Sequence, residues 1–288
     1  MHLLETLTAS AKGNKTEDLI VETPDYFGVF DGVGGVRADW SHEGRTMGQW
    51  AAQLAAEALR ELPAGASIAE YSKLAAAKNA AARLRLNLAP VERLASGALI
   101  LPRRKPLEVW VIGDSHFGYK LNDGSWHSRP QNKRYDEVTL AYRQILIKQE
   151  MMSRGEPQTE TARAELAQTV WAGVRDALSK QMLFANHPDP AEPLGFGVVT
   201  GSDVPAHHLH AFPLPDDTAE IVLCSDGLPE ATPTAEEGRA LIAELRAADP
   251  FLTGHNRLGF MGYKGGFVQL DGKLADWYDD VSYLRIAV

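Results

Sequence analysis

Acids stand where apolar runs stop. "YFGVF" ends on Asp31, "VWVIG" on Asp114, and "IVLC" runs through Ser225 to Asp226. Asp279 and Asp280 open the last apolar run, and Glu17 and Asp18 open the run "LIV" near the start. Any one of these fits an ordinary solvated turn, because Asp-Gly is common turn chemistry. Five strands of one sheet system, however, would bring the whole set to one edge. Like charges gathered there repel and raise one another's pKa, and a cation relieves that cost. Every candidate donor is an oxygen, with no Cys pair and no His-x-x-x-His spacing among them. Oxygen donors suit hard divalent ions such as Mg²⁺ or Mn²⁺. A water between two such ions is a good nucleophile near neutral pH, and phosphoester hydrolysis is a reaction these sites support. A carboxylate at a strand tip, as Asp31 is, can bridge two ions. Gly32 after it lets the backbone approach closely enough for its carbonyl to serve as a ligand.

Residues 18–22 and 26–30 form two strands around the turn Thr23-Pro24-Asp25,. Residues 44–62 are alanine-rich, with Met47, Ala51, Leu54, Ala55, Ala58 and Leu59 on one helical face, and 67–88 form a second helix,. Strand patterns return at 96–101, 107–113 and 116–121, then near 208–213, 219–224 and 281–287. Helices are expected at 136–152, 159–182 and 235–245, the last capped by Thr234,. Strands come in runs and helices in runs. That pattern argues for an α+β fold with antiparallel sheets covered by helices, not for alternating βαβ units. No repeat or interdomain linker is evident, so 1–288 reads as a single domain.

Of the 288 residues 44% are apolar and 23% charged, with a net charge of -9. An acidic surface repels phosphate backbones and argues against nucleic-acid binding. Cys224 is the one cysteine, which excludes an intramolecular disulfide, and its apolar surroundings predict a buried packing role,. No basic segment followed by an apolar core opens the chain, and no apolar run approaches a membrane span. The expectation is a cytoplasmic protein without a membrane partner.

The blocks occur in an order that resembles the bacterial form of a known family, the metal-dependent protein Ser/Thr phosphatases of type 2C (PPM). "ED" at 17–18 precedes "FGVFDGVGG" at 27–35; two helices and "SGALIL" follow; then come "VIGDSHFGYKLNDG" (111–124), "IVLCSDGLPE" (221–230) and "DDVSYLRIAV" (279–288). The resemblance covers about 17–124 and 219–288, leaving a divergent helical or flap insert at about 125–210. It implies a four-layer α-β-β-α sandwich, two antiparallel sheets flanked by helical pairs. It also implies two metal ions, Mg²⁺ or Mn²⁺, or three. Asp31 would bridge two of them, with the Gly32 carbonyl on one and Asp226 and Asp279 on the other. Asp114 would hold the third together with Asp226, and Glu17 and Asp18 would act through metal-bound waters. A bridging water would attack phosphorus in line, and the partner would be a phosphorylated protein, a Ser/Thr kinase or its target. The chain departs from the family pattern at Gly13, where an arginine often grips phosphate and where Lys12 or Lys15 would have to substitute. It departs also at Val33, where animal members carry His, and at His116, which makes the block Gly-Asp-Ser-His; a Thr-x-Asp-His-Ser block is not recognisable.

Two rival functions remain open at this point: a non-catalytic pseudophosphatase of the same fold, and a glycosidase using two of the acids as acid and base. Smaller features read as structural. "HHLH" (207–210) is expected to be a polar strand edge, "RRK" (103–105) a solvated turn, "KGGF" (264–267) a plain turn and His116 a surface residue that could instead orient a phosphate. Trp277, close before Asp279, could line the site.

Overall fold

The computed structural model describes residues 1–10, 16–34, 40–89, 94–248, 277 and 279–288. Gly13, the lysines beside it and the "KGGF" segment lie outside these residues. Ten strands form two antiparallel sheets among the described residues. They are β1 (His2–Ala9), β2 (Leu19–Glu22), β3 (Tyr26–Gly32), β4 (Ser96–Pro102), β5 (Glu108–Ile112), β6 (His116–Leu121), β7 (Trp126–Arg129), β8 (His210–Pro213), β9 (Thr218–Cys224) and β10 (Val281–Ala287). One sheet has the order β1-β10-β9-β6-β7 and the other β2-β3-β4-β5-β8.

Strand periodicity builds the layers. In β3, Phe27 and Val29 face the other sheet and join Leu99, Val111, Leu223 and Leu284 in the inter-sheet core. Tyr26 and Phe30 face the opposite way, onto helices α1 (Met47–Glu61) and α2 (Ile68–Arg85). Both faces are covered, so β3 reads as a continuous apolar run rather than an alternating one. Period two then decides the fate of Asp31: it shares the inward face of Phe27 and Val29, at the rim of the inter-sheet core. The other sheet repeats the scheme, with Ile221 and Leu223 inward and Val222, Cys224 and Tyr283 packed under α5 (Ala235–Ala248).

The helices start where their side chains supply caps. Thr46 and Gln49 form a capping box on α1, and Ser67 and Glu70 form one on α2,. The expected apolar face of α1 is buried in full. The second helix ends at Arg85 rather than at 88, because Asn87 takes a left-handed conformation (φ 49°). Thr234 caps α5 as expected, its hydroxyl accepting from the Glu237 amide at 3.1 Å. The divergent insert holds α3 (Arg134–Arg154) and α4 (Glu160–Lys180), which pack on each other. This is the expected α+β sandwich of two antiparallel sheets. The pair α1–α2 covers one side and α5 the other, while α3–α4 forms a hairpin of its own.

Residues 2–9, to which the sequence pattern assigned no element, form β1, an edge strand paired with β10. Two expectations are corrected. His207 and His208 lie in a short 3₁₀ turn and only His210 is in a strand, so the pairing of His208 with His210 on one strand face does not arise. Arg103 and Arg104 are not merely solvated. Arg103 bonds Glu22 at 2.9 Å and stacks over Phe27, and Arg104 bonds the Ala66 carbonyl at 2.9 Å and stacks over Trp110.

Candidate metal centre

Antiparallel pairing brings one end of each sheet to a common rim. Asp31 is the last residue but one of β3; Asp114 lies in the Gly113–Ser115 link where the chain crosses from β5 in one sheet to β6 in the other; Asp226 follows β9. Carboxylate oxygens of these three residues lie within 4.8 Å of one another. Two unit charges at that separation repel by roughly 3 kcal/mol at an effective dielectric of about 20. The residues come from three distant stretches of chain, so the register of both sheets enforces the crowding.

Asp18, just ahead of β2, extends the cluster. It is buried, and its Oδ2 makes no hydrogen bond. Burial pushes its carboxyl well above the usual range; a hydrogen bond with Ser225 opposes this, and the charges of Asp226, Asp279 and Asp280 add to it. A buried carboxylate oxygen that makes no hydrogen bond and feels the charge of Asp226 adds to the donor set that a hard cation satisfies,. The residues present therefore fit the divalent ions that the acid pattern calls for.

Glu17 is fixed at the edge of this cluster. Its amide donates to Asp280 Oδ2 at 2.7 Å, and its carboxylate accepts from the Thr46 hydroxyl at the start of α1. A helix N-terminus favours negative charge. A side chain at Gly32 would collide with the carbonyl oxygens of Glu17 and Gly48. The Glu17 carboxylate and the Gly32 carbonyl oxygen meet at one spot, 2.6 and 2.8 Å from where a Gly48 Cβ would stand. This close approach is why an acid at a strand tip is followed by glycine. Gly227 answers the same need after Asp226, because a Cβ there would strike the Asp280 carbonyl.

Ser225 ties the two remaining segments together. Its amide donates to the Ser282 carbonyl at 2.9 Å and its hydroxyl accepts from the Ser282 amide at 2.8 Å. Asp279 is exposed; its Oδ1 accepts from the Asp280 amide at 2.9 Å, and its charge reaches Asp18. Asp280 is the acid of this pair that touches Glu17.

Sequence reasoning missed Lys133. Its Nζ lies 2.9 Å from Asp114 Oδ2 and 3.6 Å from Asp136 Oδ2, and 5.2 Å from the centre of the Phe196 ring. In the sequence it sits within the polar run "PQNKRYDE", which gives no sign of a buried ion pair. His116 is buried rather than on the surface, its Nδ1 accepting from the Gln131 amide at 3.0 Å. That bond leads the chain from β7 back to the rim. Trp277 packs among Leu228, Ile242 and Val281 with Arg239 over its ring, so it supports the α5 layer rather than lining the cluster. Cys224 is buried as expected, and burial pushes its thiol up, away from nucleophilic use,.

No family model and no curated protein matches the chain. Solved structures align with it over nearly its whole length. The serine/threonine phosphatase PstP/Ppp of Mycobacterium tuberculosis is 19% identical, with 99% of this chain and 97% of that one covered and a TM-score of 0.48. The catalytic domain of PstP in complex with two manganese ions is 17% identical, with 99% and 97% covered and a TM-score of 0.48. Stp1 of Staphylococcus aureus is 12% identical, with 100% and 96% covered and a TM-score of 0.49. No helix among the described residues is long and apolar enough to cross a membrane.

Proposed function

We propose that this chain is a Mg²⁺- or Mn²⁺-dependent phosphatase that hydrolyses phosphoserine and phosphothreonine in proteins. The observation that carries the reading is the convergence of Asp31, Asp114 and Asp226 within 4.8 Å, at the rim where the two sheets meet. The order of the acid blocks along the chain supports it, and so does the orphaned Asp18 oxygen. Asp31, the Gly32 carbonyl, Asp226 and Asp279 would hold the ions, and Glu17 and Asp18 would act through waters bound to them. Divalent ions bound there would lower the pKa of a coordinated water and neutralise phosphate charge.

The chain's own residues do the rest. Thr46 and Asp280 hold Glu17 in one orientation, and Ser225 clamps the Asp226 loop to the Ser282 strand. The carboxylates are therefore oriented before substrate arrives, which is the condition for electrostatic catalysis. Residues 1–288 are read as one catalytic unit, with the α3–α4 insert shaping the choice of phosphoprotein.

The test is hydrolysis of p-nitrophenyl phosphate and of a phosphothreonine peptide with Mn²⁺. Turnover is expected with Mn²⁺ and is abolished by EDTA and by Asp226→Ala. Turnover that survives either treatment would overturn the reading. The Lys133–Asp114 ion pair favours one alternative, a non-catalytic binding protein of the same fold, because it commits one acid to an internal cation. That protein would bind Mn²⁺ without turning over either substrate.

A further inference from the structure

We infer that Lys133 is a tethered cation that stands at Asp114 in place of a divalent ion, so that the cluster takes two metal ions and not three. The inference deepens the metal-centre reading above and rests on it.

Lys133 is the residue immediately before α3, and its ammonium reaches Asp114 at 2.9 Å and Asp136 at 3.6 Å. Its side chain is 14% exposed and that of Asp114 is 8% exposed, so the pair is largely removed from water. A helix N-terminus disfavours positive charge; the two carboxylates outweigh that cost. The ammonium is also fixed on its other side by the Phe196 ring. Phe196 is itself held by backbone bonds to Phe184 and Asn186. The lysine is thus preorganised by three contacts and is not a surface side chain that has fallen inward.

Charge then sets the consequence. A compact ammonium donates up to three hydrogen bonds and carries one positive charge on a flexible stem. At Asp114 it supplies the counter-charge that a hard cation would otherwise supply. A divalent ion at the same carboxylate would face that positive charge and would have to displace it.

Mn²⁺ stoichiometry at saturation separates the outcomes, read by equilibrium dialysis with elemental analysis and by native mass spectrometry on the full chain. The wild type is expected to hold two ions, Lys133→Met three and Lys133→Arg two. The affinity for the added ion in Lys133→Met should exceed any further uptake by the wild type by at least tenfold. Two ions in both wild type and Lys133→Met would overturn the inference and leave the metal centre standing. Three ions in the wild type would also overturn it. No ions in the wild type would instead remove the metal-centre reading beneath it. Should Lys133→Met fail to fold, the wild-type count and a Lys133→Gln variant read the same quantity.

Discussion

At the Asp114 end of the cluster an ammonium group stands 2.9 Å from the carboxylate; at the Asp18 end a buried carboxyl is surrounded by the charges of Asp226, Asp279 and Asp280. Both ends face the same electrostatic problem, acids forced together by sheet register. One end is balanced from within the chain by a lysine, and the other by raising a carboxyl's pKa. The lysine end is complete as folded. The Asp18 end stores a cost that a cation from solution removes, and it is there that ligand binding has the most to gain.

The largest effect should come from separating the two ends by activity. Asp31→Asn removes a charge from the centre of the cluster and should lower turnover with Mn²⁺ by about 10²- to 10³-fold, the size expected when a metal's contribution to the transition state is weakened by several kcal/mol. Asp114→Asn acts at the end already served by Lys133 and should cost about tenfold or less. Steady-state kinetics on p-nitrophenyl phosphate measures both, with circular dichroism to establish that each variant is folded. Equal losses would break the comparison.

A smaller effect should appear in stability. Asp18→Asn replaces a buried carboxyl whose charged form is disfavoured by burial and by its neighbours. The metal-free variant should melt a few degrees above the metal-free wild type, as roughly 1 kcal/mol shifts a domain of this size by about 2–4 °C. Mn²⁺ at 100 times its dissociation constant should stabilise the wild type by about 2.7 kcal/mol, and Asp18→Asn by clearly less. Thermal melts with and without Mn²⁺ read both. A metal-free variant that melts below the wild type would show that Asp18 is not the strained end.

Much of this arrangement was legible in the sequence, because it depends on local rules. An apolar run ending on an acid, a glycine after it and a strand-rich pattern are enough to place Asp31, Asp114 and Asp226 at strand ends. Period two even fixes the face on which Asp31 points. Lys133 and His116 were not legible, since a buried ion pair and a histidine held by the Gln131 amide depend on where β7 returns to the rim. The strand at 2–9 was missed for a different reason. It is an edge strand, mostly exposed, and its pattern is set by pairing with β10 rather than by a core face. Asp279 and Asp280 are adjacent, and sequence alone could not say which one turns inward to Glu17.

The smallest effect comes from an acid outside the cluster and serves as its control. Glu220 in β9 lies four residues before Cys224, about 13 Å down the strand from the rim. Its carboxyl accepts from Arg285 Nε at 2.7 Å, with Lys120 at 3.6 Å. The Arg285 hydrogen bond is the main cause that holds it below the usual carboxylate range. A depressed carboxyl contributes stability that is fully present above its unfolded pKa, about 4.3, and is lost as pH falls through the lower folded value. Glu220→Gln should therefore melt below the wild type at pH 7, by an amount corresponding to about 1 kcal/mol or less. The gap should close as pH falls below about 4. Mn²⁺ should shift both proteins equally and turnover should not change, because no residue of the cluster touches this pair. A charged group balanced by an arginine on the sheet face thus titrates as an ordinary ion pair. If Glu220→Gln altered the Mn²⁺ response, the cluster's electrostatics would extend down the sheet, and the contrast between its two ends would not be local to the rim.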